Sequence, residues 1–454
     1  MKIQPDKIIS VTLAAIFLGS LGAIYFTKPA PKIDTHSIDT NDSPDITETA
    51  PSALAFDLTG NGVSLSKLGD KGNAYWKADP DSPFAQRSAW MTDGTGFLAF
   101  DINANGYIDD NTELFGTFYN HGFEILAIYD SNDDKTITNE DQIWSKLRIW
   151  VDKNKNGFSD AKELHTLDSL LISSINLSYT KASYSIADNE ITHESTFVIN
   201  GNTNTLVNAR LTPDIANTMY VKDYAFNPDV WSLPNLRGYG KIADLGIAMC
   251  LDGEQAGEGN LISLVTALAN KPAEEIFDGT GRLVNDVRAI LFRWAGVDDV
   301  APNSRGKFVD AQELAFLEKI TGKPFRQNNR HPNPTGPNAG GTLSATFNKV
   351  FNQLYADILI QTPASHIFAN GVHFDVLTGK VTNADVLNID VLQSFKDFAR
   401  SLSTTEERFR FWSDIVRMIE YTVGTDNLDA DSHYALASAI ADSGLSLQTI
   451  KKMR

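Results

Sequence analysis

Asp152, Asn154, Asn156, Asp160 and Glu163 place oxygen-bearing side chains at positions 1, 3, 5, 9 and 12 of "DKNKNGFSDAKE". Gly157 occupies position 6, and Phe158 offers its main-chain carbonyl at position 7. A hard divalent cation needs six to eight oxygen ligands and a sharp turn in the chain. The EF-hand calcium loop meets that need with ligands at 1, 3, 5, 7, 9 and 12 and glycine at 6. A polar turn without a metal does not require this spacing. The one departure is Ser159 at position 8, a place usually apolar.

The pattern recurs upstream. From Asp130, the same count gives Asn132, Asp134, Thr136 (carbonyl), Thr138 and Asp141. Lys135 stands at position 6 instead of glycine, and the shorter Asp141 closes the loop, so this site is expected to be weaker. From Asp101, the residues Asn103, Asn105, Tyr107 (carbonyl) and Asp109 fit positions 3 to 9, with Gly106 at 6. Glu113 then comes one residue late. Either the loop is stretched by a residue, or Asp110 or water completes the shell. Asp57, Thr59 and Asn61 form half of a fourth loop with no acidic closing residue. All these ligands are oxygens, which makes Ca2+ the expected cofactor.

The elements that position the loops follow from pattern. Short apolar segments ending in Asp run into each loop: "LAFDLTGNG", "LAFDINANGYID", "LAIYDSNDDKTIT" and "RIWVDKNKNGFSD". One device is reused at intervals of tens of residues. The stretch "IWSKLRIW" joins the second loop to the third directly, and one helix is expected to leave the former and enter the latter. "SSINLSYT" alternates as a strand, and "STFVINGNTNTLVNARL" reads as a hairpin turning at Asn200–Gly201. From about residue 235 the periodicity becomes helical, in "GNLISLVTALAN", "RLVNDVRAILFRWAG", "VDAQELAFLEKITG", "LSATFNKVFNQLYADILIQ", "VLQSFKDFARSL" and "ERFRFWSDIVRMIEYTV". The stretch 327–341 reads as a flexible loop between helices.

The expected fold class is therefore α+β: a compact EF-hand-like calcium-loop module with β-hairpins, followed by a mainly α-helical domain. The expected organisation is a signal anchor or signal peptide over 1–27, a polar linker over 28–52, the module over 53–212 and the helical domain over 213–454. Lys2 and Lys7 precede an uncharged run from Ile8 to Phe26, close to the roughly 20 residues that span a bilayer. An uncleaved signal anchor is favoured over a cleaved signal. Both readings place the rest of the chain outside the cytoplasm, anchored to the membrane or secreted.

The chain has 454 residues and a formal net charge of -18, which argues against nucleic acid as a partner. The single cysteine, Cys250, excludes an intramolecular disulfide and a thiolate zinc cluster. No HExxH, G-x-S-x-G or P-loop motif occurs, and no catalytic residue is assigned. A binding role is favoured over an enzymatic one, with a protein or cell-surface partner reached through the helical domain. A toxin or effector with its activity in that domain is the alternative.

"SALAFDLTGNGV", "WMTDGTGFLAFDINANGYIDDNTELFG", "LAIYDSNDDKTITNEDQIWSKLRIWVDKNKNGFSDAKELHTL" and "LISSINLSY" occur in an order that resembles the calcium-binding module of FrpC-type RTX exoproteins, over about residues 53–210. "LPNLRGYGKIADL" and "LFRWAGV" resemble a helical segment of large RTX-like exoproteins. The resemblance implies export and calcium-dependent folding. It also implies an Asp-Pro bond cleaved by the module just ahead of its first strand. That position here reads "TAPSALAFDL", without an Asp before Pro51, and the one Asp-Pro of the chain is Asp79–Pro80, inside the module. Self-processing at Asp79–Pro80 is thus a further alternative. The glycine-rich nonapeptide array of RTX proteins is absent.

Overall fold

In a computed structural model, the structure describes residues 50–452 apart from 118, 161, 253–258 and 329. The expected signal anchor lies outside the described residues. Among these, no helix is long and apolar enough to cross a membrane. The described chain forms two compact units, one ending at Lys222 and the other starting at Asp223. The architecture is mixed α+β, with the strands concentrated in the first unit and the helices in the second.

The first unit is built on a nine-stranded antiparallel sheet. Its central strand, β1 (Ser52–Asp57), is buried along its whole length. The remaining strands of this unit are β2 (Ala74–Trp76), β3 (Phe84–Ser88), β4 (Thr95–Phe100), β5 (Thr136–Ile137), β6 (Leu147–Trp150), β7 (Leu164–Thr166), β8 (Ile172–Asn176), β9 (Thr180–Ile186), β10 (Asn189–Ile199), β11 (Asn202–Arg210) and β12 (Pro213–Tyr220). The large sheet runs β5-β8-β10-β11-β1-β4-β6-β7, with β9 paired to β10. A second sheet has the order β12-β3-β2.

Successive side chains of a strand point to opposite faces, and β1 uses both. Ala53 and Ala55 enter one core with Trp76, Trp90, Phe97 and Trp150. Leu54 and Phe56 enter another with Leu98, Phe123, Leu147 and Ile149. The sheet is therefore covered on both sides at β1, whose residues Ala53 to Phe56 form an unbroken apolar run. The β10–β11 hairpin turns where expected. Asn200 and Gly201 have φ of 49° and 74°, the two positive values that a type I′ turn requires.

"IWSKLRIW" does not form the expected connecting helix. Trp144–Lys146 make a single 3-10 turn, and Leu147–Trp150 are strand β6, paired between β4 and β7. Leu147, Ile149 and Trp150 are fully buried there. Burial on two sheet faces overrides the weak helical period of so short a segment. The helix before the second loop, α1 (Gly122–Ala127), has only six residues. The loops are thus entered and left mostly by strands and single turns, without the paired helices of an EF-hand.

The second unit packs helices around an aromatic core that includes Phe292, Phe316, Phe347, Tyr355 and Trp412. Its helices are α2 (Leu245–Asp252), α3 (Leu261–Ala269), α4 (Ala273–Ile276), α5 (Arg282–Trp294), α6 (Ala311–Thr321), α7 (Pro337–Leu359), α8 (Ile389–Ser401), α9 (Thr405–Thr422), α10 (Ala430–Ala441) and α11 (Leu447–Lys452). A small hairpin, β13 (His373–Asp375) with β14 (Lys380–Thr382), interrupts them. Each of the six stretches read as helical contains a helix. In α5 the buried residues Leu283, Val287, Ile290, Leu291 and Trp294 follow the apolar period. Caps set the ends: Asp310 accepts from Gln312 and Glu313 at the start of α6, and Thr404 with Glu407 forms a capping box on α9. The loop expected over 327–341 is shorter than its composition implies, because α7 already begins at Pro337, a residue suited to the first helical turn.

Candidate metal centre

The three full loops share one backbone frame. Position 4 is left-handed in each, with φ of 56° at Ala104, 58° at Asp133 and 59° at Lys155. Position 6 is left-handed too: 90° at Gly106, 64° at Lys135 and 76° at Gly157. The first Asp of each loop fixes that turn. Asp101, Asp130 and Asp152 each accept, on Oδ2, the main-chain N–H of position 6 at 2.8 Å. Positions 3 and 5 continue the pattern. Asn103, Asn132 and Asn154 accept from the N–H two residues on, at 2.9, 3.2 and 3.0 Å. Asn105, Asp134 and Asn156 do the same at 2.8, 2.8 and 2.7 Å.

Closing carboxylates complete each ring. Glu163 accepts from Lys153 N–H at 2.9 Å and from Asp160 N–H at 3.2 Å, joining position 2 to position 9. Asp141 joins the corresponding Ser131 and Thr138 at 2.7 and 2.9 Å. In the first loop Glu113 does so, from Ile102 at 3.1 Å and Asp109 at 2.8 Å. The loop is therefore stretched by one residue. Asp110 is occupied elsewhere, capping the Asn111–Glu113 turn and pairing with Lys77 at 3.4 Å.

Asp57 opens a fourth, partial copy. Gly60 and Gly62 are left-handed at 80° and 96°, and Gly62 N–H donates to Asp57 Oδ2 at 2.8 Å. Burial tends to raise the Asp57 carboxyl, but hydrogen bonds from Gly62, Thr59 and Gly60 outweigh it and hold the pKa below its ordinary value.

The Asp152 loop sits deepest. Asp152 and Glu163 are 2% and 4% exposed, and three tryptophans lie beneath. Trp76, Trp90 and Trp150 stand 5.4–5.5 Å apart, and Trp90 Nε1 donates to Asp152 Oδ2 at 2.8 Å. Burial pushes Asp152 up to a pKa of about 6, aided by the nearby charge of Glu163 and opposed by the N–H groups of Gly157, Trp90 and Asn156. Asp141 behaves differently: burial raises it, but bonds from Thr138 and Ser131 dominate and lower its pKa. Glu113 is raised, chiefly by burial.

Gly157 is required twice over. Its φ is left-handed, and a Cβ there would lie 2.1 Å from the Tyr75 carbonyl oxygen on β2. Ser159, the departure at position 8, also has a structural reason. Its hydroxyl accepts the N–H of Ile108, position 8 of the first loop, at 2.6 Å, and so ties the two loops together. Neither this tie nor the Trp90 contact was legible in the spacing, because both partners lie far off in sequence.

Whether the donor set fits a cation turns on two observations. First, Asp130 Oδ1 is buried without any hydrogen-bond donor among the described residues. An orphaned carboxylate oxygen is costly unless a cation or donor meets it. Second, among the described residues no three His, Cys, Asp or Glu side chains already converge as a metal cluster. Asparagine amides stand among the carboxylates instead: Asn103 and Asn105 donate to Asp109 at 3.1 and 2.6 Å, Asn132 to Asp134 at 3.0 Å, and Asn154 to Asp160 at 3.0 Å. In each ring these amides are turned nitrogen-first toward the acids.

Asp79 and Pro80 lie in an exposed turn between β2 and β3, where Asp79 Oδ1 accepts Asp81 N–H at 2.9 Å. At the start of β1, Ala50 is buried and Pro51 accepts Leu211 N–H at 3.0 Å.

Residues 54–212 match the SPM domain family. Among curated proteins, the iron-regulated protein FrpA of Neisseria meningitidis serogroup C is similar, at 30% identity over 232 residues. The matched stretch is 49% of this chain and 20% of that relative, so the chain spans about a fifth of the relative's length.

Proposed function

We propose that the first unit is a calcium-stabilised module of an exported, FrpA-like protein, whose fold calcium supports for binding or adhesion outside the cytoplasm. The shared frame of the three closed loops carries this reading: a first Asp that accepts the N–H of position 6, left-handed turns at positions 4 and 6, and a closing carboxylate bridging positions 2 and 9. The orphaned oxygen of Asp130 supports it, as does the similarity to FrpA. In the strongest loop the ligands are Asp152, Asn154, Asn156, the Phe158 carbonyl, Asp160 and Glu163. The second uses Asp130, Asn132, Asp134, the Thr136 carbonyl, Thr138 and Asp141. The first uses Asp101, Asn103, Asn105, the Tyr107 carbonyl, Asp109 and Glu113. Rotation of the asparagine amides brings their oxygens to the ion.

Calcium contributes charge compensation here and no catalytic step. Each loop gathers several carboxylates that repel one another without a cation, and an ion that binds only the folded loop stabilises it by mass action. Extracellular sites bind in the range of about 0.1–1 mM. At tenfold excess over Kd, each site adds about 1.4 kcal/mol, or about 4 kcal/mol for three. For a unit of this size that raises Tm by about 10 °C. Thermal melts in several millimolar Ca2+ against chelator test the reading, and coincident melting curves would end it.

A further inference from the structure

Position 8 divides the three closed loops into a pair and a single. In the Asp130 loop that position is Ile137, which pairs with Ile175 of β8 and enters the core of Phe123 and Leu147. In the Asp101 loop it is Ile108, 2% exposed, which enters the core on the other face of the sheet with Trp76, Trp90 and Trp150. The Ile108 N–H donates to the hydroxyl of Ser159, position 8 of the Asp152 loop, at 2.6 Å. Ser159 is itself 3% exposed. Each end of this bond lies between two ligand positions. Tyr107 and Asp109 flank Ile108, and Phe158 and Asp160 flank Ser159.

A second link runs through Tyr75, Trp76 and Lys77. Gly157 of the Asp152 loop lies so close to this segment that a Cβ would sit 2.1 Å from the Tyr75 carbonyl oxygen. Two residues on, the Lys77 carbonyl accepts the Asn111 N–H at 3.2 Å, and Lys77 Nζ pairs with Asp110 at 3.4 Å. Between them, Trp76 Nε1 donates to Asn111 Oδ1 at 3.2 Å. Asp110 and Asn111 begin the turn that carries Glu113, the closing carboxylate of the Asp101 loop. The Asp152 loop therefore reaches the Asp101 loop both at its middle and at its exit. Contiguous packed and hydrogen-bonded contacts of this kind carry coupling free energy between sites.

We propose, on the calcium reading of the loops, that the Asp101 and Asp152 loops bind calcium as a cooperative pair while the Asp130 loop binds independently. An ion in either member of the pair fixes the position-8 bond, and so supplies part of the ordering that the other ion would otherwise have to impose. The test is a calcium titration of the full chain followed by 1H–15N correlation spectra. The N–H groups of Gly106, Lys135 and Gly157 each report their own loop, because each donates to the first Asp of that loop. Asp109→Asn and Asp160→Asn each remove one charge from an exposed position. Asp109→Asn should raise the calcium midpoint at Gly157 about fivefold, within the usual range of coupling between sites, and leave Lys135 unmoved. Asp160→Asn should raise the midpoint at Gly106 by a similar factor, since coupling is reciprocal. Ser159→Ala should shrink both shifts; the two Asp variants on the otherwise unmodified chain decide the matter if it does not fold. A Gly157 midpoint that Asp109→Asn leaves in place, or a Lys135 midpoint that moves as far, overturns the pairing and leaves the calcium reading standing. Shifts of full size in Ser159→Ala refute the position-8 bond as their route. No calcium response at any of the three amides overturns the calcium reading and the pairing with it.

Discussion

Replacing Gly157 by Ala should damage the first unit far more than the same change at Gly106, although both residues hold position 6 of their loops. Both have a left-handed φ, 76° and 90°, and an alanine in that region costs about 1–2 kcal/mol. They differ in surroundings. A Cβ at Gly106 meets nothing within 4 Å, whereas one at Gly157 lies 2.1 Å from the Tyr75 carbonyl oxygen. That oxygen cannot retreat freely, since Tyr75 is paired with Arg87 in the β2–β3 ladder and its hydroxyl donates to Asn217 at 2.7 Å. Forcing the two backbones apart adds about 1–3 kcal/mol. Gly157→Ala should therefore cost about 2–5 kcal/mol, and Gly106→Ala about 1–2 kcal/mol. In a unit of this size the midpoints should fall by about 10 °C and about 4 °C. Near-ultraviolet circular dichroism of the packed tryptophans reads the transition, because Trp76, Trp90 and Trp150 lie directly under the loop. Equal losses for the two variants would show that the Tyr75 approach does not constrain the loop as described.

Three other expectations follow from the loop geometry. Glu163→Gln should weaken calcium binding more than Asp141→Asn, since Glu163 closes the buried loop with the turn glycine; calorimetry giving the reverse order would invalidate the ranking. Lys135→Gly should tighten the second loop and stabilise the unit by about 1 kcal/mol, because a non-glycine residue is held at φ 64° there, and an unchanged calcium titration would contradict this. The third concerns pH. The folded-state pKa of Asp152 is raised from 3.8 to about 6. Its contribution without calcium is therefore fully favourable below about pH 4 and is lost as pH rises through 6. Between pH 4 and 7, chelated wild type should lose about 2 kcal/mol relative to Asp152→Asn. Urea unfolding with chelator at both pH values measures the difference, and a gap independent of pH would show that Asp152 is not desolvated.

The loop frame was legible in the sequence because each position is a local count from one Asp, and the backbone turns obey the same count. The stretched first loop was legible only as a choice, and Glu113 resolves it through bonds to Ile102 and Asp109. What flanks the loops was misread at "IWSKLRIW", where pairing with β4 and β7 decides strand over helix, and such pairing leaves no trace in a short apolar run. Ser159 departs from the apolar pattern at position 8 because its hydroxyl accepts the Ile108 N–H of the first loop. The helices of the second unit were readable from their apolar period and caps.

Terbium luminescence tests the central claim most directly. Tb3+ occupies calcium sites and emits when a nearby tryptophan is excited, and Trp90 donates to Asp152 at 2.8 Å. Tryptophan-sensitised emission should rise on titrating Tb3+ into the protein, fall when Ca2+ is added in excess, and drop sharply in Glu163→Gln. Absence of sensitised emission, or emission that excess Ca2+ leaves untouched, would contradict the account.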